Sequence, residues 1–226
     1  MSSSDIVRDH FDRAAERFDA VYERRKPLYQ RVIDRLFRNV VVERFRLIRC
    51  LAPVPGEWKA LDVGCGSGRY ALALARRGAS RVVGVDFAPE MIRIAREEAE
   101  AGGLADTCEF HIARFVDFSS NERFEAVVAT GYFDYLADPV RDLKLMVSMC
   151  SGRIFASFPK RWEWRVPIRK LRFALSRSFV RFYSEGEVLA LFESAGVTGE
   201  DLFLVDLGRD WIAVATPSAP GATPPD

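Results

Sequence analysis

The sequence lacks the features that define several common protein classes. Its cysteines, Cys50, Cys65, Cys108 and Cys150, lie far apart and form no C-x-x-C pair, so a zinc site is not predicted. No basic segment followed by an apolar one opens the chain, and no apolar run approaches the roughly 18 residues expected of a membrane span. We therefore expect reduced thiols and a cytoplasmic location.

An excess of charge of either sign is also missing. The chain has 33 Lys and Arg against 32 Asp and Glu, a formal net charge of +1. Dedicated nucleic-acid binders usually carry a clear basic excess, so the balance argues against that class, although it leaves room for a local basic patch.

The 226 residues fall into a helical region followed by alternating strands and helices. Apolar residues recur at helical spacing over residues 5–51. The predicted strands are Ala60–Val63, Arg81–Asp86, Cys108–Ala113, Phe124–Thr130, Arg153–Phe158, Leu202–Leu207 and Trp211–Ala215. The predicted helices are Arg69–Arg77, Pro89–Ala101, Pro139 to about Cys150, and one that Ser184 caps and that ends near Ala195. The alternation predicts a parallel sheet, and the short link 208–210 predicts a closing antiparallel hairpin.

The most informative stretch is a glycine loop between the first strand and the first of these helices. Gly64, Gly66 and Gly68 alternate there, which permits a tight turn and the approach of a ligand to the backbone at a helix N-terminus. The spacing G-x-G-x-G departs from the dinucleotide pattern G-x-G-x-x-G and disfavours a nicotinamide-dependent oxidoreductase. Asp62, just before the loop, suits a cationic ligand group such as an α-ammonium. A purely structural turn is the alternative interpretation.

A second acid follows at the end of the next strand. Asp86 stands 22 residues after Gly64. In strand–loop–helix–strand units, an acid at about this sequence separation can accept hydrogen bonds from vicinal ribose hydroxyls. Because Pro89 follows, a helix cap is the alternative role. The two features together, in strand–loop–helix–strand order, favour a ligand site.

In these two motifs, Leu61–Gly68 and Val85–Met91, the chain resembles the class I methyltransferases that depend on S-adenosylmethionine. The resemblance covers about residues 58–215. It implies a Rossmann-like, doubly wound, seven-stranded and mostly parallel sheet with a C-terminal antiparallel hairpin and a helical N-terminal lid. It also implies S-adenosylmethionine as donor, S-adenosylhomocysteine as product, and no metal. We expect a lid at 1–57, a methyltransferase domain at 58–216 with a basic insert at about 159–183, and a disordered tail at 217–226.

The resemblance also assigns a donor site. The implied donor-binding residues are Asp62, Gly64, Cys65, Gly66 and Gly68 around the methionyl end, Asp86 at the ribose, and Phe87, Met91, Arg114, Phe115 and Thr130 beyond them. Arg114 departs from the family, in which many members carry an acid near the adenine amino group. Because arginine cannot accept a hydrogen bond, we expect backbone groups near Arg114 or Phe115 to read the adenine, with Asp117 uninvolved.

The end of the fourth strand is expected to adjoin the acceptor. Tyr132, Asp134 and Tyr135 are candidates for orienting the acceptor or accepting a proton, and His10 in the lid is a further candidate base, whereas His111 is interpreted as structural. Aromatic residues at this edge also serve simply to cover the donor. Since a sulfonium is already activated, alignment and exclusion of water supply much of the rate, and no general base is required by the sequence.

A basic amphipathic segment at residues 160–182 carries eight Lys and Arg against Glu163 alone. Three interpretations remain: a helix packed on the core, a cap that selects an acidic or large apolar acceptor, and a peripheral contact with a membrane surface.

The expected function is methyl transfer to a small-molecule acceptor, in which the accepting atom is oxygen, nitrogen or carbon and the acceptor is anionic or lipid-like. The pattern is similar to the quinone-biosynthesis and magnesium-protoporphyrin groups. A protein that binds the donor without catalysis and a methyltransferase acting on RNA or protein remain alternatives. The absence of an Asn/Asp-Pro-Pro-Tyr/Phe motif after the fourth strand argues against a nucleic-acid acceptor.

Overall fold

The computed structural model describes residues 44–46, 48, 57–136, 138–161 and 181–217. The strands are β1 (Lys59–Val63), β2 (Arg81–Asp86), β3 (Cys108–Ile112), β4 (Phe124–Ala129), β5 (Cys150–Pro159), β6 (Leu202–Asp206) and β7 (Asp210–Ala215). The helices named below are α1 (Arg69–Arg76), α2 (Pro89–Ala101), α3 (Pro139–Met149) and α4 (Glu185–Ser194). Single turns of 3₁₀ helix lie at Phe115–Asp117, Phe133–Tyr135 and Gly199–Asp201.

The strands form one sheet in the order β3-β2-β1-β4-β5-β7-β6. The first five strands are parallel, and β7 runs antiparallel to both β5 and β6. The predicted fold class is therefore confirmed, including the closing hairpin. The strand order reverses between β1 and β4, and this is the point at which open α/β sheets bind ligands.

Helices cover both faces of the sheet because successive side chains of a strand point in opposite directions. On β1, Ala60 packs with the apolar residues of α1 and α2, whereas Leu61 packs with those of α3 and α4. Both residues are fully buried. Alternate side chains of the apolar parallel strands thus pack into the hydrophobic cores on the two faces of the sheet, as expected for a doubly wound fold.

Local signals in the sequence account for most element ends. The Asp138 side chain accepts a hydrogen bond from the N–H of Val140 at the start of α3, and Ser184 and Glu187 form a reciprocal capping box at α4. Three strands, β1, β5 and β7, begin earlier than predicted, at Lys59, Cys150 and Asp210. These residues pair with Arg81, Phe124 and Pro159 of the neighbouring strands. No local pattern marks them, because the pairing to a neighbouring strand causes each extension.

Several sequence predictions fall wholly or largely outside the described residues. Of the predicted lid, the structure describes residue 57, which is exposed, and residues 44–46 and 48, which are helical; Ile48 is buried against the domain. His10, the tail from residue 218 and residues 162–180 of the basic insert lie outside the described ranges. Among the described residues, no helix is long and apolar enough to cross a bilayer.

Candidate functional site

The carboxyl ends of β1 and β2 are tied together by the glycine loop. The N–H groups of Gly64 and Cys65 both donate to the carbonyl oxygen of Val85, at 2.8 and 3.2 Å. The N–H of Gly68 donates to the Cys65 carbonyl at 3.0 Å and closes the turn before α1. These backbone hydrogen bonds hold the loop against the end of β2.

The three glycines of the loop have different surroundings. A Cβ at Gly64 would lie 2.6 Å from Cδ2 of Tyr132, and one at Gly68 would lie 3.0 Å from both Ala95 and Phe110. Gly66, with φ +52°, would place a Cβ where no described residue lies within 4 Å. Gly64 and Gly68 thus allow close packing within the protein, and Gly66 is the one of the three whose backbone faces a space where a ligand can lie.

Asp62, although on β1, serves the start of α1. Its carboxylate accepts a hydrogen bond from the N–H of Ala71 at 2.9 Å, and its side chain is almost fully buried. Burial raises the pKa of Asp62 to about 7, and the nearby charge of Asp86 acts in the same direction. The ionised form is therefore costly in the donor-free protein, and a cationic group beside it would lower that cost.

Asp86 joins the loop to α2. One carboxylate oxygen accepts from the N–H of Gly66 and the other from the N–H of Ala88, each at 2.9 Å. The residue at the helix N-cap position is Ala88, so Asp86 assists the start of α2 without being its N-cap. Its carboxylate is thereby oriented at the same edge as Gly66.

The residues predicted around the adenine divide into buried and exposed ones. Met91 is buried with Ala88 and Ile94 under the start of α2, and Phe115 is buried at the turn after β3. Arg114 is exposed, and its Nε lies 3.8 Å from Asp117. Phe87 is half-buried. The side chain of Cys65, also predicted, packs beneath the loop in the core on the α1 and α2 face.

Tyr132 lies between the loop and the end of β4. Its ring packs on Gly64, and its hydroxyl donates a hydrogen bond to the buried carboxylate of Asp142 on α3. Burial raises the pKa of Tyr132, and the charge of Asp142 raises it further. Tyr132 thus keeps its proton at neutral pH, which suits a positioning role better than that of a base.

The other candidates after β4 are held by the protein itself. Gly131 donates its N–H to Oγ of the buried Ser157 at 2.8 Å. The backbone carbonyl of Asp134, a buried residue, accepts from the N–H of Arg181 at 2.8 Å, and the Tyr183 hydroxyl donates to the carbonyl of Phe133 at 2.9 Å. Thr130 and Tyr135 are half-buried at the same edge.

The described N-terminal residues cover one side of this edge. Phe45 stacks on Tyr70 of α1 with ring centroids 4.5 Å apart, and Arg44 forms a buried ion pair with Asp210 at 2.7 Å. The Arg44 guanidinium also lies close enough to Tyr70 and Asp134 to interact with them electrostatically. Because Asp210 is paired with the end of β5, these contacts place Arg44 and Phe45 at the carboxyl edge.

Sequence reasoning missed Arg44, Asp142, Ser157, Tyr183 and Asp210. Each acts through a partner in another element, between 10 and 166 positions away, so no local pattern marked it. His111, with Nε2 2.9 Å from Glu109 and its ring against Phe118, lies within the β3 region as a structural residue would. The described residues hold no group of three or more His, Cys, Asp or Glu arranged for a metal ion.

Residues 60–151 match a family model described as a methyltransferase domain. Over 89 residues the chain is 35% identical to the ribosomal protein L11 methyltransferase of Yersinia pseudotuberculosis serotype IB (strain PB1/+), which covers 39% of this chain and 28% of that protein. Over 118 residues it is 36% identical to the 23S rRNA (uracil(1939)-C(5))-methyltransferase RlmD of Dechloromonas aromatica (strain RCB), covering 52% and 26%. The chain thus spans little more than a quarter of the length of these curated relatives.

The fold also resembles solved structures. The crystal structure of magnesium protoporphyrin IX methyltransferase from Synechocystis PCC 6803 with bound SAH superposes with a TM-score of 0.76 at 17% sequence identity. The match covers 95% of this chain and 100% of that one. At this identity the likeness describes the fold.

Proposed function

We propose that this chain, which carries a class I methyltransferase domain, transfers a methyl group from S-adenosylmethionine to a small-molecule acceptor. The observation that carries the proposal is the bond from the N–H of Gly66 to Asp86. This bond places the open face of the glycine loop next to the carboxylate of Asp86, at the edge of the sheet where the strand order reverses. A methionyl group and a ribose of the same ligand need these two features side by side.

The surrounding residues fit the donor. The Gly64–Gly68 loop would bind the methionyl part, and Asp86 would accept from the ribose hydroxyls. Asp62 would balance the charge of the α-ammonium, which would offset the cost of ionising a buried carboxyl. The turn at Phe115 would lie beside the adenine, where backbone groups of Arg114 and Phe115 would read it.

The bound donor supplies a methyl group activated on a sulfonium sulfur. A bond forms between the acceptor and the methyl carbon, the carbon–sulfur bond breaks, and the acceptor loses a proton when it carries one. The protein contributes alignment of the acceptor and exclusion of water. Gly131, which would place a Cβ in open space, leaves room beside the end of β4 for an acceptor to approach.

Three observations support a small acceptor. Phe45 packs on Tyr70 and Arg44 pairs with Asp210, which narrows the access of an acceptor to the carboxyl edge from that side. The net charge of +1 gives no general attraction to a polyanion. The overlap in fold with a porphyrin methyltransferase over almost the whole chain adds support.

Titration calorimetry with S-adenosylmethionine, S-adenosylhomocysteine and NADH tests the donor assignment. We expect the first two to bind and NADH to give no heat. Binding of NADH alone would mean that the glycine spacing points to the wrong cofactor class. A screen of small anionic and lipid-like acceptors, followed by mass spectrometry for a mass gain of one methyl group, then tests the acceptor class.

An RNA or protein acceptor is the second candidate, because the sequence relatives act on ribosomal RNA or a ribosomal protein by their names. Methylation of ribosomal RNA or ribosomal protein, with no small acceptor accepted, would favour it. Binding to RNA that weakens steeply with salt would separate the RNA case from the protein case.

A further inference from the structure

The ring of Tyr132 touches both stretches that the proposed function places around the donor. It packs directly on Gly64 of the loop, where a Cβ would lie 2.6 Å away. Phe115 meets the same ring edge-on, with centroids 6.3 Å apart and planes at 89°. Tyr132 is therefore the side chain through which the loop and the turn after β3 are kept in a fixed relation.

The position of this ring is set from α3. The Tyr132 hydroxyl donates to Oδ1 of Asp142, a residue of the first turn of α3 that is 4% exposed. Asp142 is next to Leu143, which is fully buried in the core between α3 and the sheet. With almost no water at Asp142 to replace the bond, the hydroxyl has one position in which the buried carboxylate is satisfied.

Charged groups lie on both sides of Tyr132. On the donor side the charge of Asp86 raises the pKa of Tyr132 and that of Arg114 lowers it, and Asp142 lies on the other side. Arg141 and Asp138 are the charged neighbours of Asp142 on its own helix. A ring with two edge-on aromatic contacts, Phe115 and Phe133, and one buried hydrogen bond has little freedom to turn.

We infer that Asp142 is a positioning residue for donor binding, which acts on the donor site by holding Tyr132 between Gly64 and Phe115. The inference rests on the proposed function and adds to it a residue outside the site. Asp142 is linked to the loop through the hydroxyl and ring of Tyr132. Its effect should therefore appear in donor affinity and in the KM for the donor, and much less in kcat.

The test compares Asp142→Ala with Asp142→Asn in the full chain. We expect Asp142→Ala to weaken binding of S-adenosylmethionine and S-adenosylhomocysteine about tenfold, because the hydroxyl loses a buried charged acceptor. Asp142→Asn keeps an oxygen that accepts the same bond and should restore affinity to within about threefold of wild type. Tyr132→Phe, which retains the ring, should resemble Asp142→Ala and serves where that variant does not fold.

A control on the same helix separates positioning from stability. Asp138→Ala removes the side-chain cap at Val140 and leaves the Tyr132–Asp142 bond in place. It should lower the midpoint of thermal unfolding without changing donor affinity. The double variant Tyr132→Phe/Asp142→Ala should weaken donor binding no more than either single variant, because both remove one interaction.

The outcomes are distinct. Wild-type protein that binds neither donor nor product would overturn the proposed function and this inference together. Wild-type protein that binds both, with unchanged affinity in Asp142→Ala or Tyr132→Phe, would overturn the inference alone. Equal loss of affinity in Asp138→Ala and Asp142→Ala would reduce Asp142 to a structural residue of α3.

Discussion

Arg44 and Asp210, 166 positions apart in the chain, form an ion pair with 2.7 Å between Nη2 and Oδ2. Their side chains are only 13% and 6% exposed. The pair joins the N-terminal segment to the first residue of β7, beside the edge at which we place the donor.

Breaking this pair should destabilise the protein strongly. We expect Arg44→Ala to lower the free energy of unfolding by about 3–5 kcal/mol, because Asp210 is left as a buried carboxylate without its partner. Urea denaturation would measure the loss. The matched control is Arg93→Ala on α2, whose ion pairs with Glu90 and Glu97 are exposed and should contribute little to stability. An equal decrease in the free energy of unfolding in Arg44→Ala and Arg93→Ala would contradict the prediction that the buried Arg44–Asp210 pair matters more than exposed pairs.

The donor-free protein should lose stability with rising pH because of Asp62. Burial raises the pKa of Asp62 to about 7 in the folded protein, whereas the pKa of an aspartate in the unfolded chain is about 4. The folded state then binds more protons between these values, so the free energy of unfolding falls as pH rises from about 4 to about 7 and levels off above that. Asp62→Asn, whose amide oxygen still accepts from Ala71, should flatten this part of the profile.

Chemical denaturation at a series of pH values between 4 and 8 would measure the Asp62 effect. The same slope in wild type and Asp62→Asn would assign the pH dependence to other groups. At pH 8 the variant should equal or exceed wild type in stability and yet bind S-adenosylmethionine more weakly, since a neutral amide does not balance an α-ammonium.

Adding a methyl group at Gly66 should weaken donor binding. Gly66→Ala places a Cβ in the open space beside the loop and requires φ +52° from alanine. Gly103→Ala is the matched control, because Gly103 has φ +65° and open space beyond it at the end of α2. Both should cost about 1 kcal/mol of stability, and only Gly66→Ala should weaken the binding of S-adenosylhomocysteine in calorimetry. Equal affinities in the two variants would place the ligand away from Gly66.

Removing the carboxylate of Asp86 should also weaken donor binding, by about 1–3 kcal/mol, through lost hydrogen bonds to the ribose. Asp86→Ala also leaves the amides of Gly66 and Ala88 without their acceptor, so a control for that loss is needed. Asp206→Ala is suitable, because Asp206 likewise accepts from the amide two residues ahead, that of Gly208, in the distant hairpin. Unchanged affinity in Asp86→Ala would remove Asp86 from the ribose site.

Much of the local architecture was predictable from the sequence. β2 and α2 have the predicted bounds, and the predicted order of strands and helices, including the hairpin, matches the structure. These features depend on the spacing of apolar residues and on Gly, Pro and capping residues, which act over a few positions. The strand ends of β5 and β7 were missed because the pairing partner of each, rather than its own residues, determines where it begins.

The sequence by itself determined the alternation of elements, the glycine loop and the placement of an acid at the end of β2. Only the tertiary structure decided that Asp62 accepts from the amide of Ala71 in α1, that Asp86 accepts from the loop amide, and that Tyr132 packs on Gly64 with its hydroxyl bonded to Asp142. Local patterns record which conformation a segment favours. Contacts between residues 20, 68 or 166 positions apart depend on strand order and helix placement, which the packing of two apolar cores establishes for the chain as a whole.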